Sequence, residues 1–472
     1  MSEAATREAQ FGVLPLLPGE RVWGFADFTW VNVGLAIATW AFLIGGAMAA
    51  TVDLRTGIAA AIIGNAISVA LMALATCPPS ARWGLEQYTF QRSVFGPRGV
   101  LLVVGIWLIV VETGWAAVLS IMFGRSTAHL VGAATDTSID PDGLLVSALA
   151  AVAIVLTWLV LARGALSMRF VNRVIAPGLF LVQFGMAALL VQHYGLDGLL
   201  ALRPPAATAD AHLDFMQAVE LNLAAGFSWW PVMGSLARVT RTKQASFWPN
   251  TIGLFGAAVL GEVVGLAAGL ALGDSDPTAW MLPLGGLLAG AVALVWIALA
   301  NVTSAASIVY ATCIALRQLG GAAAARLPWT VLTGGFLVLP LLLGLWPGVI
   351  YDRFSQFLVL SGVAFAPLAA VCAADYFLLR RQRVDLRGIY ANHDEGASSP
   401  YAFFAGFNPA ALLAVVLGSA TYVLLLDPVT FEMPVPGFRW LTASLPAFAV
   451  AGLAHLLLTR LWVRRSGLGG YD

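Results

Sequence analysis

The chain has 472 residues, of which 60% are hydrophobic and 11% are charged, and its formal net charge is zero. Soluble domains carry roughly 25% charged residues, so this composition excludes an ordinary soluble protein and predicts an integral membrane protein. The sequence also has no block of basic residues of the kind that marks a nucleic-acid-binding surface.

A membrane-spanning helix needs about 20 apolar residues, and twelve segments approach or exceed that length. None of them alternates apolar and polar residues, so the pattern predicts an all-α membrane protein rather than a barrel of strands. The eighth segment is unusually long. The predicted spans cover residues 27–50, 57–77, 99–123, 143–163, 174–194, 217–236, 250–273, 283–316, 328–348, 355–379, 409–426 and 440–462.

Basic residues in the loops between these spans predict the orientation of the chain. When alternate loops are grouped, one group holds 20 of the 25 Lys and Arg residues, including Arg7 and Arg163. Because basic loops favour the cytoplasmic side, both termini are predicted to be cytoplasmic in a cell (inner or plasma) membrane. The opposite loops hold the remaining arginines and two acidic groups: Arg55, Arg125, Arg203, Arg353, Arg439, Asp136, Asp140, Asp142, Asp274 and Asp276.

The longest polar segment, residues 380–408, predicts a cytoplasmic linker because it is charged and rich in turn-forming residues. The linker divides the chain into a cytoplasmic N-terminal tail (1–26), a ten-helix core (27–379) and a two-helix C-terminal appendage with its tail (409–472).

Two of the spans are predicted to be discontinuous. The first contains Gly34, Gly45 and Gly46 within its apolar run, and the sixth contains the sequence GFSWWPVMGS with Pro231. Glycine and proline lower the cost of interrupting a helix, and interruptions at membrane depth survive where they line a cavity. The first and sixth spans occupy corresponding positions in two five-helix halves. This arrangement is typical of secondary transporters with inverted repeats.

The eighth span carries small and hydroxylated residues on one helical face. Ala300, Thr303, Ser304 and Ser307 recur at spacings of three, four and seven. Hydroxyl oxygens on such a face suit a hard cation, whereas small residues also let two membrane helices pack closely. The spacing alone leaves both interpretations open.

Several motifs resemble the nucleobase–cation symporters, the family of purine–cytosine permeases and hydantoin transporters. The glycine-rich first span is followed by Gly64-Asn65 in the second span and by FGPRG at 95–99. The similar pattern continues with GWAAVLS at 114–120, GFSWWPVMGSLARVTRTK at 226–243 and TSAASIVY at 303–310. The motifs occur in the family's order over about the first 380 residues.

The resemblance implies a leucine-transporter-type fold, with five plus five helices in inverted repeat and two more appended. It also implies that a planar heterocycle stacks between two indoles, which match Trp115 and Trp229, with Trp230 as an alternative. An aromatic plane offers stacking and dispersion to any flat ring. Where many relatives carry amide side chains that read the ring edge, this chain has Leu119 in the third span and Ser307 among the residues of the eighth. An Asp expected near the end of the sixth span aligns with Arg238.

The resemblance further implies a sodium site. Its ligands would be the backbone carbonyls of Gly34 and Ile37 in the first span, together with Ala300, Thr303 and Ser304 in the eighth. About five oxygens without a carboxylate suit a monovalent cation, because a divalent ion normally draws on carboxylates. A proton remains the alternative coupling ion, since some relatives use one.

Carboxyl groups inside spans are functional candidates by default. Glu112 lies one helical turn before Trp115, so it is a candidate for binding a polar ring edge, for carrying a proton or for a structural hydrogen bond. For Glu262 in the seventh span the structural interpretation is favoured. Asp375 and His455 lie near span ends and are expected to cap helices or to reach the interface.

No enzyme motif appears in the sequence, and neither a cofactor nor a nucleic-acid partner is predicted. The favoured hypothesis is a secondary transporter that imports a nucleobase or related heterocycle by cation symport with alternating access. The alternative is a substrate-sensing membrane protein that keeps the fold without transporting. An amino-acid permease is a third interpretation, which two stacking tryptophans disfavour.

Overall fold

The computed structural model describes residues 14–162, 164–391 and 399–471, and helices dominate these residues. Arg7, Arg163, the first half of the predicted N-terminal tail and residues 392–398 of the predicted linker lie outside the described residues.

The main helices, numbered in chain order, are α1 (Phe25–Ala36), α2 (Thr39–Met48), α3 (Leu54–Trp83), α4 (Gln87–Phe95), α5 (Gly99–Thr135), α6 (Leu144–Leu161), α7 (Ala165–Tyr194), α8 (Ala211–Phe227), α9 (Trp230–Ala237), α10 (Lys243–Leu272), α11 (Pro277–Leu319), α12 (Trp329–Leu343), α13 (Phe354–Leu379), α14 (Pro409–Leu425) and α15 (Ser444–Ser466). Shorter helical turns cover Pro18–Glu20, Leu196–Ala201, Gly321–Arg326, Pro347–Asp352, Leu386–Tyr390, Pro400–Ala402 and Phe438–Leu441.

Each predicted apolar segment coincides with one of these helices or with a consecutive pair of them. Within the described part of the chain, eight helices are long and apolar enough to cross a membrane, and the bent pair α1 and α2 makes up to nine. Helices α12 and α14 are apolar but shorter. The pair α8 and α9 occupies the sixth predicted segment. The total of twelve spans stays a prediction.

The first span breaks between α1 and α2, whose axes differ by 53°. The backbone leaves helical geometry at Ile37 (φ −92°, ψ 76°) and Ala38 (φ −126°, ψ 177°). Polar groups freed by a break inside a membrane need partners. The indole Nε1 of Trp40 donates to the Leu35 carbonyl at 3.0 Å, and Asn301 Oδ1 accepts from the Thr39 amide at 3.3 Å.

The glycines of the first span serve packing rather than the break itself. Gly45 lies against α10, where an added Cβ would sit 1.9 Å from the Glu262 carbonyl oxygen. Gly34 lies against α7, where a Cβ would sit 1.8 Å from Asn172 Oδ1. Gly45 therefore permits a close approach of two backbones, whereas a side chain at Gly34 would displace the Asn172 side chain.

The sixth span is interrupted by a two-residue turn between α8 and α9. Ser228 and Trp229 keep near-helical dihedral angles, and Pro231 occupies the first turn of α9. Proline is tolerated at that position because the first amides of a helix lack intrahelical acceptors. This interruption is milder than the first one, and it directs Trp229 and Trp230 to different neighbours.

The element α11 is long because two helical stretches adjoin end to end at a kink inside it. Gly286 adopts φ +64°, a value that glycine reaches without steric cost, near Pro283. Beyond this kink, α11 packs along α5 and places Asn301 beside the break in the first span. Helix α11 thus joins the hydroxyl-bearing face to the broken first span.

Buried carboxylates connect helices at two further places. Glu262 of α10 accepts from Asn65 Nδ2 at 2.8 Å, and the same amide donates to Asn222 Oδ1 of α8 at 2.9 Å. Glu220 of α8 accepts from the Tyr422 hydroxyl at 2.7 Å and from the Ser444 amide at 3.0 Å. Glu262 therefore makes the kind of structural contact that the sequence favoured.

The expectation that Asp375 and His455 reach the interface is wrong, because both side chains are 0% exposed. Asp375 Oδ2 lies 2.6 Å from Arg380 Nε, and its Oδ1 lies 3.3 Å from His455 Nε2. Tyr471 donates its hydroxyl to Asp375 Oδ1 at 2.7 Å. An isolated charge is costly to bury, whereas a paired and hydrogen-bonded one is tolerated. These residues join α13, α15 and the C-terminal tail.

Candidate substrate and cation sites

The indoles of Trp115 and Trp229 stack on each other. Trp115 is fully buried on α5, and Trp229 is buried in the turn between α8 and α9. Their ring centroids lie 5.5 Å apart with an interplanar angle of 25°. Trp115 Nε1 has no hydrogen-bond partner among the described residues. The two predicted indoles are therefore brought face to face at a helix interruption, with one indole donor unpaired.

Three other rings surround this pair. Trp40 of α2 lies 5.5 Å from Trp229 and 6.2 Å from Trp115, and Phe354 and Phe357 of α13 meet Trp115 edge-on at 5.7 and 5.5 Å. We call these five residues the aromatic cluster. Edge-to-face and offset-stacked contacts at these distances are the favourable arrangements of aromatic rings. The cluster joins both broken spans to α5 and α13.

Trp230 lies apart from the cluster. Its ring stacks on Phe365 of α13 at 5.8 Å and meets Tyr88 of α4 edge-on at 5.9 Å. The stacked pair therefore contains Trp229 and not Trp230.

Two further predicted substrate residues are also buried. Leu119 is buried on α5, one turn beyond Trp115. Ser307 is buried on α11, where its hydroxyl donates to the Thr303 carbonyl at 3.0 Å.

Glu112 is buried on α5, one turn before Trp115, and its Oε1 has no hydrogen-bond partner in the described part of the chain. The hydroxyl of the buried Tyr88 is likewise without a partner there. Burial raises the pKa of Tyr88 well above its usual value, and the neighbouring carboxylates of Glu112 and Glu86 raise it further. Glu112 and Tyr88 therefore each carry a buried oxygen that no described residue hydrogen-bonds.

The residues predicted to hold a cation lie on α1, at its break and on α11. Ser304 is 0% exposed, and its Oγ has no hydrogen-bond partner among the residues described. Thr303 Oγ1 donates to the Ala300 carbonyl at 3.0 Å. Ile37 stands at the break, and Gly34 lies one turn earlier. A buried hydroxyl oxygen without a partner fits a cation ligand, because such an oxygen is otherwise costly to bury.

Sequence reasoning missed three residues around these sites. Trp40 completes the aromatic cluster, Asn301 binds Thr39 through its amide oxygen and nitrogen, and Asn172 brings an unpaired Oδ1 beside Gly34. The sequence signal available for Asn301 was an amide side chain inside the apolar run of the eighth span. No pattern in the sequence indicates which helix Asn172 or Trp40 meets, because that depends on tertiary packing.

A family model described as "permease for cytosine/purines, uracil, thiamine, allantoin" matches residues 15–441. The chain belongs to this family. Its multiple apolar helices are accordingly those of an integral membrane protein, as the composition predicted. A hydantoin permease of Microbacterium maritypicum is 29% identical over 104 residues, a match that covers 21% of this chain and 20% of that protein.

Two solved structures are similar over nearly the whole chain. Mhp1, a nucleobase-cation-symport-1 family transporter in a closed conformation with bromovinylhydantoin bound, aligns with a TM-score of 0.77 at 18% identity, covering 96% of this chain and 95% of Mhp1. A Na⁺-coupled sialic acid symporter in a substrate-bound outward-open state aligns with a TM-score of 0.63 at 11% identity, covering 98% and 93%. These similarities confirm the predicted fold class, whereas the inverted repeat stays a prediction.

Proposed function

We propose that this chain is a secondary active transporter that imports a nucleobase or related planar heterocycle by symport with a monovalent cation. The observation that carries the proposal is the stack of Trp115 on Trp229 at the interruption of the sixth span. Buried indoles with a 25° interplanar angle offer two nearly parallel faces to a flat ring. Family membership supports the same substrate class.

The proposed transport cycle is alternating access in a cell membrane with both termini cytoplasmic. Interrupted helices in this kind of transporter form the midplane site, around which one group of helices rocks against the other. The break at Ile37 and Ala38 and the turn at Ser228 and Trp229 would then border the substrate. Their contacts with α11 and α5 would let substrate binding and cation binding affect each other.

The proposed coupling ion is sodium, held by Gly34, Ile37, Ala300, Thr303 and Ser304. The unpaired Oγ of Ser304 is the supporting observation. Oxygens from hydroxyls and backbone carbonyls, without a carboxylate, are suited to a monovalent cation. Coupling to a proton through Glu112 is the competing hypothesis.

Two measurements test the function. Purified full-length protein is titrated with a panel of planar heterocycles while tryptophan fluorescence is recorded, and a ligand that binds is then offered to reconstituted vesicles. We expect saturable quenching, followed by accumulation driven by an inward cation gradient. If no planar heterocycle binds at millimolar concentration, the substrate class is wrong. Binding without gradient-driven accumulation would favour the alternative of a substrate-sensing protein.

The same vesicles distinguish the two ions. A sodium gradient at equal pH is compared with a pH gradient in the absence of sodium. Accumulation driven by the sodium gradient, with Glu112→Gln retaining the sodium dependence, is the expected result. Accumulation that ignores sodium and is lost in Glu112→Gln would assign the coupling role to the proton.

A further inference from the structure

The face of α5 that carries Trp115 is apolar except at one position. Around Trp115 at helical spacings lie the buried residues Val111, Glu112, Val118, Leu119 and Met122. Leu119 and its apolar neighbours cannot hydrogen-bond a ring edge. Apart from the unpaired Nε1–H of Trp115 itself, Glu112 is therefore the side chain on this face that can bind the polar edge of a heterocycle seated against Trp115.

Glu112 also differs in its hydrogen bonding from the buried carboxyl groups that connect helices. Glu220 accepts hydrogen bonds at both of its carboxyl oxygens, and Glu262 accepts one at Oε2 from Asn65. The Oε1 atoms of Glu112 and Glu262 have no partner among the described residues, but only Glu112 lies one helical turn from Trp115. A buried carboxyl oxygen without a donor is costly, and a ligand that supplies the donor removes that cost.

We infer that Glu112 binds the polar edge of the substrate and selects heterocycles in which an amino group adjoins a ring nitrogen, as in aminopyrimidines and aminopurines. This inference rests on the proposed function, since it assumes a flat ring at Trp115 and Trp229. The protonated acid donates to the ring nitrogen and accepts from the amino group. If the proton moves to the ring nitrogen, the carboxylate accepts both hydrogen bonds.

An oxo-substituted ring is recognised less well by the same group. Its edge presents an N–H donor beside a carbonyl acceptor, which pairs with the protonated acid only. Against an ionised carboxylate, which has acceptors alone, the ring carbonyl faces another oxygen. The amino-substituted edge keeps two hydrogen bonds in both proton positions, and one of those positions is a charge-assisted pair.

The test uses matched pairs of rings on full-length protein in detergent, with tryptophan quenching as the signal. The pairs are adenine with hypoxanthine and 4-aminopyrimidine with 4-pyrimidone, which differ at the edge and share the ring. We expect the amino member of each ring that binds to be about 5- to 150-fold tighter, the range that corresponds to one unsatisfied buried group. In Glu112→Gln the preference should collapse, because an amide offers one donor and one acceptor to either edge.

The control is Glu262→Gln, which changes a carboxyl group that is buried on α10 and bonded to Asn65. We expect the amino preference of this variant to match that of the unmodified protein. Equal or tighter binding of the oxo rings by the unmodified protein would overturn the inference without any variant. A preference that survives in Glu112→Gln would also overturn it, and both outcomes would leave the proposed function standing. If no ring of either kind binds, the proposed function fails together with the inference.

Discussion

At the scale of single residues, the stacked indoles set a geometric condition on binding. Their centroids are 5.5 Å apart, whereas a ring held between two planes at van der Waals contact on each side requires about 7 Å. Trp115 and Trp229 must therefore separate by more than an ångström to admit a substrate between them. Trp229 stands in the turn between α8 and α9, whereas Trp115 stands inside the long helix α5.

This geometry predicts different roles for the two adjacent tryptophans. Trp229→Ala should weaken heterocycle binding by about 1–3 kcal/mol, the usual contribution of one aromatic–base stack. Trp230→Phe is the control, and it should leave the affinity nearly unchanged because the Trp230 ring stacks on Phe365. Ligand titration by calorimetry measures both variants. The opposite ranking would mean that the substrate lies on the Trp230 side of the turn.

The hydroxyls of α11 give a second prediction. Ser304→Ala should reduce the sodium-dependent part of ligand affinity by about 1–3 kcal/mol, because the lost Oγ is buried without a protein partner. Ser307→Ala is the matched control on the same helix, since its hydroxyl already donates to the Thr303 carbonyl. Affinities are compared with and without sodium for each variant. Equal sodium dependence in the Ser304 variant and the unmodified protein would exclude Ser304 as a ligand.

The family resemblance pointed to Trp115 and Trp229 because each stands in a motif that could be matched, the Gly-Trp pattern of the third span and the tryptophan element of the interrupted sixth span. Trp40 had no such signature, since it sits in an apolar run like any interface tryptophan. Its role follows from the direction of α2 after the 53° bend. Residue type and spacing predict which helix carries a group, whereas the partner of that group depends on how the helices pack.

At the scale of elements, the segment before α1 holds the start of α7. Trp23 Nε1 donates to the Ala165 carbonyl at 3.2 Å, and Arg169 donates to the Val22 carbonyl at 3.3 Å. Asp27 of α1 pairs with Arg173 of α7. All three contacts lie within the first turns of α7. Movement of this end of α7 away from α1 would break all three contacts together.

This arrangement predicts the effect of reversing the charge of one partner. Arg173→Asp places two carboxylates side by side, so α1 and the start of α7 should separate more often and their amides should exchange hydrogen faster. The double variant Asp27→Arg with Arg173→Asp should restore slow exchange. Hydrogen exchange followed by mass spectrometry over residues 25–36 measures both. The control is Arg203→Ala, because Arg203 is 80% exposed and pairs with Asp53 only at 3.8 Å.

The single variant with unchanged exchange would show that the Asp27–Arg173 pair does not hold the two helices. A double variant that exchanges as fast as the single one would attribute the effect to Arg173 alone.

The sequence predicted that the first span is broken, but it did not predict the position of the break. The glycine-rich run indicated a broken first span, and α1 and α2 are indeed separate helices. The break itself falls at Ile37 and Ala38, where neither glycine nor proline stands. Trp40 and Asn301 make it possible by bonding the groups that the break frees. A break stabilised by side chains from elsewhere cannot be located from local propensity.

At the scale of the whole molecule, the last two helices are fixed to the rest by buried polar contacts. Arg380, at the end of α13, donates to the Ser93 carbonyl of α4 at 2.5 Å and to the Gly469 carbonyl of the tail at 2.7 Å. Its charge is balanced by Asp375, which also contacts His455 of α15. The apolar pattern predicted α14 and α15 as an appendage, and this network joins α15 and the C-terminal tail to α4 and α13 through residues far apart in the sequence.

The network predicts a large loss of stability from a single uncharged substitution. Asp375→Asn removes the charge that balances Arg380 while both side chains stay buried, so it should destabilise the fold by about 3–5 kcal/mol. Tyr471→Phe removes one hydrogen bond to the same carboxylate and should cost only about 1 kcal/mol. The control Asp427→Asn changes an exposed carboxylate that accepts from the amides of Val429 and Thr430, and its effect should be smaller than that of Asp375→Asn.

Thermal unfolding of each variant in the same detergent, with heterocycle affinity measured well below the transition, separates stability from binding. We expect Asp375→Asn to lower the transition temperature most and to leave the affinity of the remaining folded protein intact, because the aromatic cluster contains none of these residues. A lost affinity at unchanged stability would instead place the network in the transport site.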